Sequence, residues 1–95
     1  MNGISEEIFI GVKEISRYIS ACLFGFGKGD EIKLIARGKN VKKAIDILAI
    51  LIRDYVDDAE YNIVVASEKF ENRNISTIEI ELSGKKKERV VNKKE

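Results

Sequence analysis

Apolar residues along this chain recur in several distinct rhythms, separated by polar or glycine-rich breaks. Glu7 to Gly11 carries Ile8-Phe9-Ile10, a short unbroken apolar run of the kind shown by a strand covered on both faces, which predicts a central strand. Ile15, Tyr18, Ile19, Cys22, Leu23 and Phe26 then follow the i, i+3, i+4, i+7, i+8, i+11 template of an amphipathic helix lying on a sheet. Phe24 sits about 180° from that stripe, facing solvent or a partner chain. Gly25-Phe26-Gly27-Lys28-Gly29 closes the helix. A phosphate-cradling glycine loop follows a strand and opens a helix; this cluster has the reverse order and reads as a helix cap and turn. Ile32, Leu34 and Ala36 alternate as the next strand requires.

A second helix is predicted over about Val41 to Val56, with a core stripe of Val41, Ala44, Ile45, Leu48, Ile52, Tyr55 and Val56. Ile47, Ile50 and Leu51 lie off that stripe, more apolar surface than one sheet face needs, and this predicts a two-fold subunit interface. Asp57-Asp58-Ala59-Glu60 reads as a solvated loop that ends the helix. Tyr61 to Ser67 and Ile75 to Leu82 read as strands, with Ile78, Ile80 and Leu82 on one face and Thr77, Glu79 and Glu81 on the other. They form a terminal hairpin whose tip, Lys69 to Asn74, lacks a tight Asn-Gly turn and is expected to be mobile. The order is β-α-β-α-β-β, an α/β chain built as an α+β two-layer sandwich over residues 1–84. Residues 85–95 are too charged to pack and are expected to form a disordered tail.

Charge changes this picture by its distribution. The net charge is +1, but residues 85–95 hold six of the 17 basic and two of the 16 acidic residues, a balance of +4, which leaves 11 minus 14, or −3, for residues 1–84. Bulk charge therefore does not draw the folded part to nucleic acid, and any such binding needs a local patch. There is no histidine, and Cys22 is the only cysteine, placed inside a helical core stripe. Ordinary acid–base, thiol and zinc chemistry lacks its usual parts, so neither an enzyme nor a metal or other cofactor is expected. No long apolar run or signal-peptide pattern is present, which points to a cytoplasmic protein without a membrane partner.

The local patch lies at residues 33–47, where a strand runs through a basic turn into the second helix. Gly38 suits a positive φ and Asn40 suits an N-cap. Arg37 and Lys39 stand in the turn, and Lys42 and Lys43 on the first helical turn. Cations beside a helix N-terminus cost a few tenths of a kcal/mol each, roughly, so their presence together with free N–H groups suggests an anion such as phosphate.

Three stretches together resemble one family. Ile8-Phe9-Ile10-Gly11 leads into the first helix, Ala36-Arg37-Gly38-Lys39 is followed by Lys43-Ala44-Ile45-Asp46, and Ile75-Ser76-Thr77-Ile78-Glu79-Ile80 forms the last strand. In register and with this element order they are similar to Alba, the small archaeal chromatin protein, over about residues 7–82. The resemblance implies a fold similar to the C-terminal domain of translation initiation factor 3, a homodimer, and binding of double-stranded DNA and RNA with little sequence preference. It implies nucleic-acid contacts by Lys13, Arg37, Lys39 and Lys43, with Arg73 on a hairpin arm reaching along the minor groove. Tyr55 matches an aromatic position through which neighbouring dimers pack, and Phe24 is a candidate to join it. Val12 and Glu14 depart from the family's lysine pair and following proline, removing one phosphate contact per subunit; Arg17 on the first helix is a candidate to compensate.

The leading expectation is therefore a chromosome-associated homodimer that coats or compacts DNA, with higher-order assembly on the nucleic acid. An RNA-binding protein or a subunit of an RNA-processing ribonucleoprotein is the alternative. A self-associating protein-interaction module is a third reading, supported by the apolar second helix.

Overall fold

The computed structural model describes residues 6–87. They form β1 (Glu6–Phe9), α1 (Ile15–Lys28), β2 (Glu31–Arg37), α2 (Val41–Ile50), β3 (Val56–Phe70) and β4 (Arg73–Lys86), with a 3-10 turn at Gly38–Asn40 before α2 and a wider π-helical turn at Leu51–Tyr55 after it. The sheet has the order β1-β2-β4-β3; β1 runs parallel to β2, while β4 is antiparallel to both β2 and β3. α1 packs on β1, β2 and β4 and α2 on β2 and β4, giving the two-layer α+β arrangement expected.

Alternation explains the core. Ile32, Leu34 and Ala36 on β2 and Ile78, Ile80 and Leu82 on β4 all face the helices and are buried, against Tyr18, Ile19, Cys22 and Phe26 of α1. Gly25 lies inside α1 and does not end it. A Cβ there would stand 3.0 Å from Ile32 Cγ2 and 3.2 Å from Glu6 Cβ, so the missing side chain is what lets the helix settle onto β1 and β2.

Four expectations are corrected. The run Ile8-Phe9-Ile10 marks an edge strand and not a central one: Ile8 and Ile10 face α1, but Phe9 is 67% exposed on the open side of the sheet. The core stripe of α2 is Ala44, Ile47, Leu48 and Leu51, with Ile45 exposed and Ile50 half-buried. Ile47 and Leu51 are thus enclosed within one chain and have no surface to offer a second. The apolar arc of the helix spans more than half its circumference, leaving Lys42, Lys43 and Asp46 on the remaining side, so periodicity could not fix which part of that arc meets the sheet. Asp57 to Glu60 form the bulged start of β3 in place of a loop, with Asp58 at a φ of 54°. The hairpin turn is tight: Phe70 pairs with Arg73, leaving only Glu71 and Asn72 between the strands, and Glu71 takes a φ of 56°.

β3 is the element the helices do not cover. Tyr61, Ile63 and Val65 lie opposite Leu82, Ile80 and Ile78 in register, and so share the helix-bearing face, yet they are 53%, 42% and 67% exposed. At the other terminus Lys85 and Lys86 continue β4 beyond residue 84, and the Lys87 N–H donates to the Tyr55 carbonyl at 2.8 Å. The remainder of the expected tail, residues 88–95, lies outside the described residues.

Candidate nucleic-acid interface

Strand directions gather the basic segments. β1 and β2 are parallel, so the loop after β1 and the junction after β2 leave the same end of the sheet; β4 begins at that end, which places the β3–β4 turn there too. The last pair on β2 joins Arg37 to Thr77, itself opposite Ala66. Ser67 to Phe70 and Arg73 to Ser76 therefore project past β2 as a two-stranded arm, about 14 Å long at ~3.4 Å per residue. Lys13 stands in the first loop, Arg37, Lys39 and Lys42 in or beside the junction, and Arg73 at the arm tip, all exposed. Arg17 is exposed on the first turn of α1.

Gly38 supplies the sharp turn from β2, with a φ of 61°. Asn40 does not act as the N-cap its identity suggested. It sits at φ −85°, ψ −4°, already helical because the 3-10 turn precedes it, and its side chain makes no capping bond. The first turn of α2 also carries no acidic residue, so the positive end of the helix is uncompensated by either usual means.

The cations are not all free. Arg37 Nη2 donates to Glu68 Oε1 at 2.6 Å, bracing β2 against the arm, and Lys42 pairs with Asp46 one helical turn on at 3.0 Å. Both pairs are exposed, and such pairs contribute only about 0–1 kcal/mol, so an incoming phosphate can displace the carboxylates. Lys43 is different. Its Nζ reaches away from the junction to donate to the carbonyls of Gly11 and Lys13 at 2.7 and 2.8 Å. Its ammonium, placed on the first turn of α2, is thus bonded to another loop. Nothing in the sequence signals a contact across more than thirty residues.

A group of acidic side chains lies at the other end. Glu31, Glu60 and Glu81 line an open depression with Tyr61, Asn62 and Ser83, near the end of the sheet away from the arm. The Cys22 thiol is wholly enclosed, and burial pushes its pKa up to about 12, which keeps it protonated and unreactive. Among the described residues no cluster of histidine, cysteine, aspartate or glutamate could hold a metal ion, and no helix is long and apolar enough to cross a membrane.

Phe24 is 68% exposed, with Lys28 Nζ 4.8 Å from its ring centroid, and Tyr55 is 37% exposed at the end of the π-helical turn.

This arrangement of strands, loops and arm coincides with that of known proteins. The Alba family model matches residues 6–68. The chain belongs to the Alba family. It is 33% identical over 80 residues to the DNA/RNA-binding protein Alba of Methanocella arvoryzae, covering 77% of this chain and 83% of that one. It is also 33% identical over 85 residues to the protein of the same name from Nitrosopumilus maritimus, covering 81% and 88%. The solved structure of Alba from Thermoplasma volcanium superposes with a TM-score of 0.68 at 32% identity, covering 82% of this chain and 99% of that one. ALBA1 from Trypanosoma brucei gives a TM-score of 0.73 at 13% identity, over 88% and 73%, which extends the likeness of fold. The Alba match includes the first loop, the junction and β3 as far as Glu68.

Proposed function

We propose that this chain binds double-stranded DNA and RNA without sequence preference, as a homodimer that coats or compacts the chromosome. The observation that carries the reading is the convergence of the first loop, the β2–α2 junction and the arm on one end of the sheet. Lys13, Arg37, Lys39 and Lys42 would face phosphates there, with Arg17 beside them and Arg73 carried outward on the arm. Lysine and arginine set on phosphates neutralise a duplex backbone without carrying sequence information, which fits sequence-independent binding. The family relatives named for DNA and RNA binding support the same reading.

Dimerisation is argued from β3. Tyr61, Ile63 and Val65 form an apolar stripe on the face that the helices cover elsewhere, and a second copy related by a two-fold axis would cover it. This replaces the interface expected of Ile47 and Leu51; Ile50, half-buried against the core, is at most peripheral. Tyr55 and Phe24 remain exposed and are proposed as contacts between dimers on nucleic acid.

The test is fluorescence anisotropy with blunt duplex DNA and duplex RNA of several sequences over a salt series. The proposal expects similar affinities across sequences and a steep loss with salt. Binding to neither duplex at low salt would leave the self-associating module as the better reading, and a strong preference for RNA would favour a ribonucleoprotein role.

A further inference from the structure

The loop from Gly11 to Glu14 belongs to no helix or strand, yet its backbone is held from two sides. The Tyr18 hydroxyl accepts the N–H of Gly11 at 2.8 Å and that of Lys13 at 3.1 Å. Lys43 Nζ donates to the carbonyl oxygens of the same two residues, at 2.7 and 2.8 Å. Two side chains thus satisfy both the donor and the acceptor of Gly11 and of Lys13, and Val12 between them is turned out to solvent at 83% exposure. The ammonium also lies 5.7 Å from the centroid of the Tyr18 ring, which is itself buried.

We infer that Lys43 and Tyr18 are positioning residues that clasp the β1–α1 loop to the start of α2, so that Lys13 is presented beside the junction while the Lys43 charge is spent on loop carbonyls and not on phosphate. The inference rests on the proposed nucleic-acid function and assigns Lys43 a part different from its neighbours. An ammonium has three donors and no acceptor, and hydrogen bonds from a charged donor are stronger than neutral ones, so the group suits two converging carbonyls. Tyr18 is fixed by its place in the core, which makes its hydroxyl a rigid acceptor. The ordering of the loop is then achieved on folding and is not charged against binding, the usual benefit of preorganisation. Arg37 and Lys42, whose partners are exposed carboxylates, keep their charges available.

The experiment combines amide exchange of the free protein with duplex DNA binding over a salt series, for wild type, Tyr18→Phe, Lys43→Met, Lys13→Ala and the double variant Lys13→Ala/Lys43→Met. Tyr18→Phe keeps the ring in the core and removes no charge. The clasp predicts that Tyr18→Phe and Lys43→Met speed exchange at Gly11 and Lys13 at least tenfold, leave the β2 and β4 amides unchanged, and each weaken binding several-fold. In the Lys13→Ala background, Lys43→Met should add less than a further twofold and leave the salt slope unchanged. A direct phosphate contact would instead flatten the double variant's slope by a further ~0.9 per chain, and that result, or unaltered exchange at Gly11 and Lys13, overturns the inference. A wild type that binds no duplex at all would strike the functional reading itself, and its own isotherm distinguishes that case.

Discussion

Replacing Ile63 tests the proposed dimer, and the structure sets the size of the effect. Ile63 faces the helix-bearing side of the sheet beyond the helices and is 42% exposed in the single chain. Full burial of an isoleucine is worth roughly 1.5–3 kcal/mol, so covering the exposed part contributes about 0.6–1.3 kcal/mol per chain, or about 1.2–2.6 for two. Ile63→Ala should therefore raise the dimer dissociation constant roughly 7- to 70-fold. Ile63→Lys places a charge in the middle of the stripe, which a second copy would have to bury, and should give monomer. Sedimentation equilibrium over a micromolar concentration series reads both values, with circular dichroism to show that the fold persists. Leu51→Ala is the contrast: its side chain is enclosed within one chain, so it should cost about 2–5 kcal/mol of folding stability. The reasoning is refuted if wild type is monomeric at tens of micromolar, or if Ile63→Lys dimerises as wild type does.

Three further outcomes concern the chain itself. With burial raising its pKa to about 12, the Cys22 thiol should stay protonated across neutral pH and react with a thiol reagent at pH 8 only as fast as the protein unfolds; rapid labelling of native protein would contradict the enclosed position. Gly25→Ala gains about 1 kcal/mol in helix propensity but forces a methyl group to 3.0 Å from Ile32, and overpacking costs about 1–3 kcal/mol, so thermal denaturation should shift to lower temperature. Glu71→Gly relieves the positive φ at the hairpin turn and should raise stability by about 1 kcal/mol or less, measured by denaturant midpoint.

Legibility in the sequence followed how one-sided each pattern was. Tyr18, Ile19, Cys22 and Phe26 stand out on a helix with a single apolar face, and Ile78, Ile80 and Leu82 alternate with polar neighbours, so their burial could be read directly. On α2 the apolar residues cover more than half the circumference, and packing on the sheet selects Ile47 and Leu51 from that arc for the core. The surplus read on α2 is not surface, since Ile47 and Leu51 are enclosed; an exposed apolar stripe lies instead on β3, where the sequence shows four consecutive apolar residues from Ile63 to Ala66 without saying that no helix covers them. Asn40 has the composition of a cap, but the 3-10 turn before it removes the extended backbone a cap needs. Basic residues at the junction were legible as a group. Their individual partners, Glu68 for Arg37 and the first loop for Lys43, depend on register and topology that no local motif encodes.

If the basic end of the sheet meets nucleic acid as proposed, salt dependence shows it by position. Arg37→Ala/Lys39→Ala removes two cations per chain at that end; Lys85→Ala/Lys86→Ala removes the same charge at the opposite end of β4. Each neutralised duplex phosphate contributes about −0.9 to the slope of log affinity against log salt concentration. Arg37→Ala/Lys39→Ala should flatten the slope for duplex DNA by up to ~3.6 per dimer, while Lys85→Ala/Lys86→Ala should leave it within about 1 of wild type. Equal flattening by the two pairs, or flattening by Lys85→Ala/Lys86→Ala alone, would contradict the proposal.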